Sequence, residues 1–209
     1  EEKESGSNLQ DIFKIPFAAL FVLTFICMGA SNSVISCWLT TIMVEQRSIT
    51  AAQGATAAAF YFGGMTVVRV LFGLMPDKIK TKHIIMCGVV LSLISNILLF
   101  VRVNDIAFVY FLATIIGMGI SPLVPFLHHS IRELFDEKNI GVIVSGCNSL
   151  SLVGGAIVSA FASVAAKLIG INNVQILWII LLAIGGICYM RIVIAKEKEK
   201  NIKIVIKPF

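Results

Sequence analysis

The sequence predicts an all-α membrane protein, with six transmembrane helices forming two inverted three-helix repeats, and three observations carry that prediction. The 209 residues are 57% hydrophobic and only 14% charged, with a mean hydropathy of +0.92, against roughly 25% charged residues in soluble domains. Six apolar stretches reach the about 20 residues that a helix needs to cross a hydrocarbon core roughly 30 Å thick. The positive charges between those stretches alternate from loop to loop, as the two sides of a bilayer require.

The first span, 16–44, is too long for a signal-peptide core and follows a net acidic segment, so it is expected to remain in the membrane. Residues 1–14 read as a polar linker; EEKESGSNLQD has no initiator Met, and further chain is expected upstream. The second span, 51–76, and the fifth, 140–167, are rich in small residues (Gly54, Gly63, Gly64 and Gly73; Gly141, Gly146, Gly154 and Gly155). Small residues let helix backbones approach where no hydrophobic force drives them together. The third span, 83–102, and the fourth, 106–128, are separated by three residues. The sixth, 173–195, is apolar nearly all round and is expected to face lipid, with Trp178 and Tyr189 as interfacial anchors. The bundle thus occupies 15–196 and a basic tail 197–209. Cys27, Cys37, Cys87, Cys147 and Cys188 all fall inside spans at no metal-ligand spacing and read as small packing residues.

Thirteen Lys and Arg residues lie in the N-terminal tail, the second loop, the fourth loop and the C-terminal tail, whereas the other three loops hold Arg47, Arg102 and Lys167. The positive-inside rule then places both termini in the cytoplasm, in agreement with the even number of spans. Two groups of three spans follow, and an odd number in each inverts the second relative to the first, as in many secondary transporters. The formal net charge of +5 reflects this anchoring rather than a nucleic-acid footprint, and the expected partner of the surface is the lipid bilayer.

Every acidic residue lies in a tail, a loop or a span end, which excludes an intramembrane protease built on two buried carboxylates. A Gly-x-Ser-Gly nucleophile motif fails as well, because Ile143 stands where the first Gly of Ser145-Gly146 would be. No cofactor or metal site is expected, and His128 and His129 read as interfacial residues closing the fourth span. Arg69 is the one charge well inside a span, at a cost of at least a few kcal/mol unless it snorkels or finds a partner. Both readings, a functional residue and a snorkelling one, stand at this point.

Gly64 to Lys82 reads GMTVVRVLFGLMPDKIKTK, a Gly- and Arg-containing helix running into a loop with Gly73, Asp77, Lys78 and Lys82 at the spacing Gly-x-x-x-Asp-Arg/Lys. The pattern resembles the loop signature of the major facilitator superfamily, with Lys80 replacing its second glycine and Thr81 one of its basic residues. GMGISPLVPF, from Gly117 to Phe126, is similar to the Gly-rich, Pro-containing fourth span of such halves. The resemblance implies the C-terminal half of a twelve-span secondary transporter whose N-terminal six-span half is missing. It also implies a gating role for Arg69, Gly73, Asp77, Lys78 and Lys82. More narrowly, the first span ending in Trp38-Leu39-Thr40-Thr41 and the SPLVP stretch look most like fucose-permease-like proton symporters, although Asn32 stands where that group often has an acid.

For the solute pathway the candidates are Asn32 and Ser36, which share a face of the first helix, and Ser145, Asn148 and Ser151, which share one of the fifth. Tyr61 and Trp38 are expected to add an aromatic wall. Amides at mid-membrane need partners, since an unpaired one costs several kcal/mol. They either bond across helices and only hold the bundle together, or line a water-filled path and bind a small polar solute, a sugar among the candidates. A non-transporting six-helix partner or receptor, or an inactive half, is the competing reading.

Overall fold

The computed structural model describes residues 12, 14–74, 79–100 and 105–205. Seven helices make up six membrane-length spans: α1 Ala18–Arg47, α2 Ala51–Leu74, α3 Thr81–Phe100, α4 Ile106–Ile120 with α5 Leu123–Leu134, α6 Glu137–Ile169 and α7 Asn172–Val205. Local chemistry sets several of the ends. Ser48 closes α1 in the left-handed region at φ 52. A reciprocal capping box opens α2: the Gln53 N–H donates to Thr50 Oγ1 at 3.2 Å, and the Thr50 N–H donates to Gln53 Oε1 at 2.9 Å. Asp105 opens α4 by accepting the Ala107 N–H at 2.9 Å, and Gly170 turns the chain between α6 and α7 at φ 89.

The fourth span is longer than the hydropathy implies, running from Ile106 to Leu134 with a kink rather than stopping at His128. Pro122 and Pro125 supply no N–H, so the carbonyls of Met118 and Ser121 lose their usual helical donor. The ladder nevertheless continues across the bend, with the Ser121 N–H donating to Gly117 O and the Phe126 N–H to Pro122 O, both at 3.0 Å. The Ser121 hydroxyl donates to Met65 O at 2.8 Å and ties the kink to α2. The last helix likewise outruns its apolar segment, continuing to Val205 through Lys196-Glu197-Lys198-Glu199-Lys200. Lys and Glu are good helix formers, so the helix persists beyond its hydropathic limit.

The packing interlocks the two groups of three spans. α1, which opens the first repeat, packs against α6 and α7 of the second; α4, which opens the second, packs against α2 and α3 of the first. Each repeat therefore completes the other, and α1 is the most enclosed helix. The α2–α4 crossing is backbone on backbone. A Cβ built on Gly64 would lie 3.1 Å from the Thr114 carbonyl carbon, and one on Gly117 would lie 2.9 Å from that of Tyr61, so neither site admits a side chain.

Two apolar cores lie at the two ends of the bundle. One, at the end bearing the termini, joins Phe21, Phe25, Leu127, Ile131, Ile143 and Tyr189; the other joins Ile35, Leu39, Tyr61, Leu112, Ile116 and Trp178. Trp178 and Tyr189 are thus not interfacial anchors. Both are fully buried, because α1 and α3 pack against the α7 face that carries them. The exposed apolar residues of these two helices are instead Ile176, Ile180, Ile184 and Ile187 on α7 and Val90, Leu91, Ile94 and Leu98 on α3.

Candidate functional site

Along α1 a polar seam stays open between α2 on one side and α6 on the other. Asn32, Ser33, Ser36 and Thr40 are half-buried and Cys37 and Thr41 exposed, whereas Ser31, Val34, Ile35 and Leu39 on the opposite face are buried. On the α2 side, Tyr61, fully buried, donates its hydroxyl hydrogen to Asn32 Oδ1 at 2.8 Å. Thr40 Oγ1 reaches Gly54 O at 3.4 Å further along the same pair of helices. On the α6 side, Ser151 meets Gly29, where a Cβ would lie 2.6 Å from its hydroxyl oxygen, and Gly155 lies against Ser33. Ser33 and Ser36 bond back to their own helix, to Gly29 O at 3.1 Å and Ser33 O at 3.0 Å.

The candidates drawn from the sequence therefore separate. Asn32 and Tyr61 form a pair bonded across α1 and α2, while Asn32 remains half-open. Ser36 lines the seam next to them, and Ser151 is a helix-contact residue at the α1–α6 crossing. Trp38 is half-buried and packs against the second core. Ser145 and Asn148 are exposed on α6, and Asn148 Oδ1 lies 2.9 Å from Nε2 of His128 on α5. His128 in turn stands edge-on to the Phe25 ring of α1, with centroids 4.7 Å apart.

The residues read as a gate also fall in different places. Arg69 and Gly73 are exposed on the last turns of α2 and, with Ser121, Pro122 and Pro125, line a groove of about 250 Å³ at the kink of the fourth span. Lys82 instead pairs with Glu197 near the end of α7. Beside it, buried Thr81 donates to Glu133 Oε1 at 2.7 Å and lies 3.0 Å from His129 Nδ1, so the start of α3 is fastened to α5 and α7. Asp77 and Lys78 lie outside the described residues.

Two features escaped the sequence reading. His128 is half-buried and lies 2.9 Å from an amide oxygen of another helix, and α5 continues past it to Leu134. At the far end, Gln46 Nε2 donates to Gln175 Oε1 at 3.2 Å, Gln175 Nε2 donates to Asn96 O at 3.0 Å, and Arg47 donates to Leu99 O at 2.6 Å. Scanning every amide within the spans, rather than those of the first and fifth alone, would have flagged Asn96 and Gln175.

No curated protein matches the chain. The structure is similar to that of an auto-inhibited POT family peptide transporter, with a TM-score of 0.73 at 14% identity over 85% of this chain. The chain spans 37% of the length of that transporter, a likeness that shows the fold. Residues 20–206 match the Major Facilitator Superfamily. A helical bundle of six membrane-length spans in two interlocked repeats, matched to that family over nearly its whole length, belongs to the major facilitator superfamily of transporters.

Proposed function

We propose that the chain is the C-terminal half of a secondary transporter that moves a small polar solute by alternating access, its α1–α2–α6 face forming one wall of the pathway. The polar seam on α1 supports this reading above all. A helix surrounded on its other faces by α2, α6 and α7 keeps its only run of amide and hydroxyl groups open, where a purely structural helix would bury them or present apolar groups to lipid. Asn32, Ser36, Ser145 and Asn148 are the proposed solute contacts, with Tyr61, bonded to Asn32, and Ser151 and Trp38 supporting from behind. The exposed apolar residues of α2 and α6, such as Phe60, Val67, Leu152 and Phe161, would then meet the missing half rather than lipid. Arg69, Gly73, Asp77, Lys78 and Lys82 are proposed to hold the gate on the cytoplasmic side of the cell membrane, where both termini lie.

The test is uptake by the full-length protein in proteoliposomes, using L-fucose, after the fucose-permease-like residues, and alanyl-alanine, after the peptide transporter of similar fold. Uptake abolished by Asn32→Leu while the protein remains folded supports the seam as the pathway. Uptake unaffected by Asn32→Leu and by Asn148→Leu refutes it. Correctly folded protein that moves no solute of either class favours a non-transporting six-helix partner.

A further inference from the structure

α2 and α3 each pack on α4 but hardly on each other, and a cleft of about 390 Å³ runs between them. Its floor is the fourth span at the kink: Met118, Gly119 and Pro122. Two glycines bring that floor close to α3. A Cβ built on Gly88 would stand 2.5 Å from the Gly119 carbonyl oxygen, so here α3 rests on the backbone of the fourth span. Leu71 and Phe72 form one wall and Ile84 and Leu91 the other. Leu91 also belongs to the exposed apolar stripe of α3 that holds Val90 and Ile94, so the cleft is continuous with that outer face.

The polarity of the cleft is one-ended. From Ile84 inward it is apolar except for the Cys87 thiol, whereas at the end of the bundle that bears the termini it is bounded by Ile79 and His83. Lys80 stands between these two, and the His83 N–H donates to its carbonyl at 3.0 Å, which fixes Lys80 at the opening turn of α3. Lys80 and His83 are both exposed. Among the described residues no acid lines the cleft. Of the two acids near this turn, Glu133 is engaged by Thr81 and His129, and Glu197 is paired with Lys82 while also within electrostatic reach of Lys80 and His83. Lys80 and Lys82 together outweigh Glu197, and the positive end of the α3 dipole adds to them. The mouth therefore attracts an anion.

Depth selects among occupants. From His83 to Leu91 the cleft follows α3 for about 12 Å at 1.5 Å per residue, close to one leaflet of a hydrocarbon core roughly 30 Å thick. A helix docked from another span would follow its partner across both leaflets. An apolar tail joined to an anionic head needs one leaflet, with its charge at the membrane surface.

We propose that the cleft between α2 and α3 binds an anionic phospholipid from the leaflet on the side of the termini, one acyl chain lying on Met118 and Gly119 and the phosphate facing Lys80 and His83. The site is separate from the polar seam of α1, and its measurement does not depend on transport.

The experiment uses full-length protein in bilayers of phosphatidylcholine that contain a minor fraction of phosphatidylglycerol with a diazirine in mid-chain. A second set carries the same photoreactive chain on phosphatidylcholine. After illumination, modified residues are mapped by mass spectrometry. Met118 is half-buried on the cleft floor and reports a chain inside, whereas exposed Ile180 on α7 reports lipid at large. Labelling of Met118 and the cleft walls is expected to favour the glycerol lipid by about fivefold, what one lysine near an anionic head contributes, with Ile180 labelled alike by both. Lys80→Gln combined with His83→Gln should bring cleft labelling down to the phosphatidylcholine level and leave Ile180 unchanged, which also shows that the variant is folded. Equal labelling of the cleft by the two lipids in the wild type means unselective lipid and overturns the proposal, as does a cleft labelled by neither, which means that protein covers it. A preference that survives the double substitution overturns the headgroup contact.

Discussion

Replacing Gly117 by Ala isolates the cost of one methyl group at the α2–α4 crossing. An ideal Cβ there would lie 2.9 Å from the Tyr61 carbonyl carbon and 3.2 Å from the Met65 nitrogen, and closer still to the Tyr61 oxygen. All three are backbone atoms that cannot rotate away, so relief requires the helices to part by on the order of 1 Å, a gap at which contacting pairs lose a quarter to a half of their dispersion energy. The natural control is Gly63→Ala on α2, where a Cβ meets nothing within 4 Å. Both substitutions gain the same helix propensity, up to about 1 kcal/mol, so their difference reports packing alone. Gly117→Ala is expected to be the less stable of the two by about 1–3 kcal/mol, the usual cost of overpacking a tight site. A thiol-reactive dye can follow unfolding: Cys27 and Cys147 are buried and become reactive on melting, provided exposed Cys37 and Cys87 and half-buried Cys188 are first changed to Ser. Equal melting temperatures for the two variants would refute the backbone-contact argument, and with it the claim that this crossing is built on glycine.

Three further outcomes follow from the same physical reasoning. Single cysteines at Lys80 and Lys138 should react with an impermeant reagent only from the cytoplasmic side, and one at Asp105 only from outside; reversed labelling would overturn the orientation drawn from the charge distribution. Asp77→Asn should slow transport by the full-length protein while leaving binding from the outer side largely intact, and equal loss of both would show that Asp77 touches solute rather than gates. Asn96 is fully buried, donates to Ser92 O at 2.7 Å and has no protein partner for Oδ1. Since a buried unmatched acceptor costs about 1–3 kcal/mol, Asn96→Leu is expected to raise the melting temperature, and a fall of several degrees would mean that the acceptor is satisfied in the membrane.

What the sequence made legible depended on which physical constraint acted alone. Hydropathy placed six spans because the cost of lipid-exposed backbone leaves helices no alternative; all six begin within a few residues of the apolar limits and four also end there. It misplaced the end of the fourth because His128 and His129 interrupt its apolar run, whereas the helix continues through them to Leu134. It misassigned Trp178 and Tyr189 for a related reason. Composition shows that α7 is apolar all round, but not that α1 and α3 cover the face holding both aromatics. Side-chain pairing was less legible still. Asn32 and Ser36 share a stripe by periodicity, yet nothing in the sequence assigns Tyr61, 29 residues on, as the donor to Asn32.

The error over the fourth span carries the candidate site with it. Had the helix ended at His128, the imidazole would lie at the end of the span. Because α5 continues to Leu134, His128 sits one and a half turns inside the helical end, next to Phe25 and within reach of Asn148. The kink makes this possible by redirecting the span. α4, before Pro122, packs on α2 and α3, whereas α5, after it, packs on α3 and also reaches α6 and α1. The same bend that places Arg69 and Gly73 beside Pro122 and Pro125 therefore aims His128 at α6. Motion of the span about this kink would move the groove at Arg69 and the His128–Asn148 contact together. The groove at Arg69 and the His128–Asn148 contact then share one mechanical element, and straightening it by Pro122→Ala should alter the accessibility of Asn148 and of Arg69 in the same variant. A Pro122→Ala protein in which only one of the two changes would separate them.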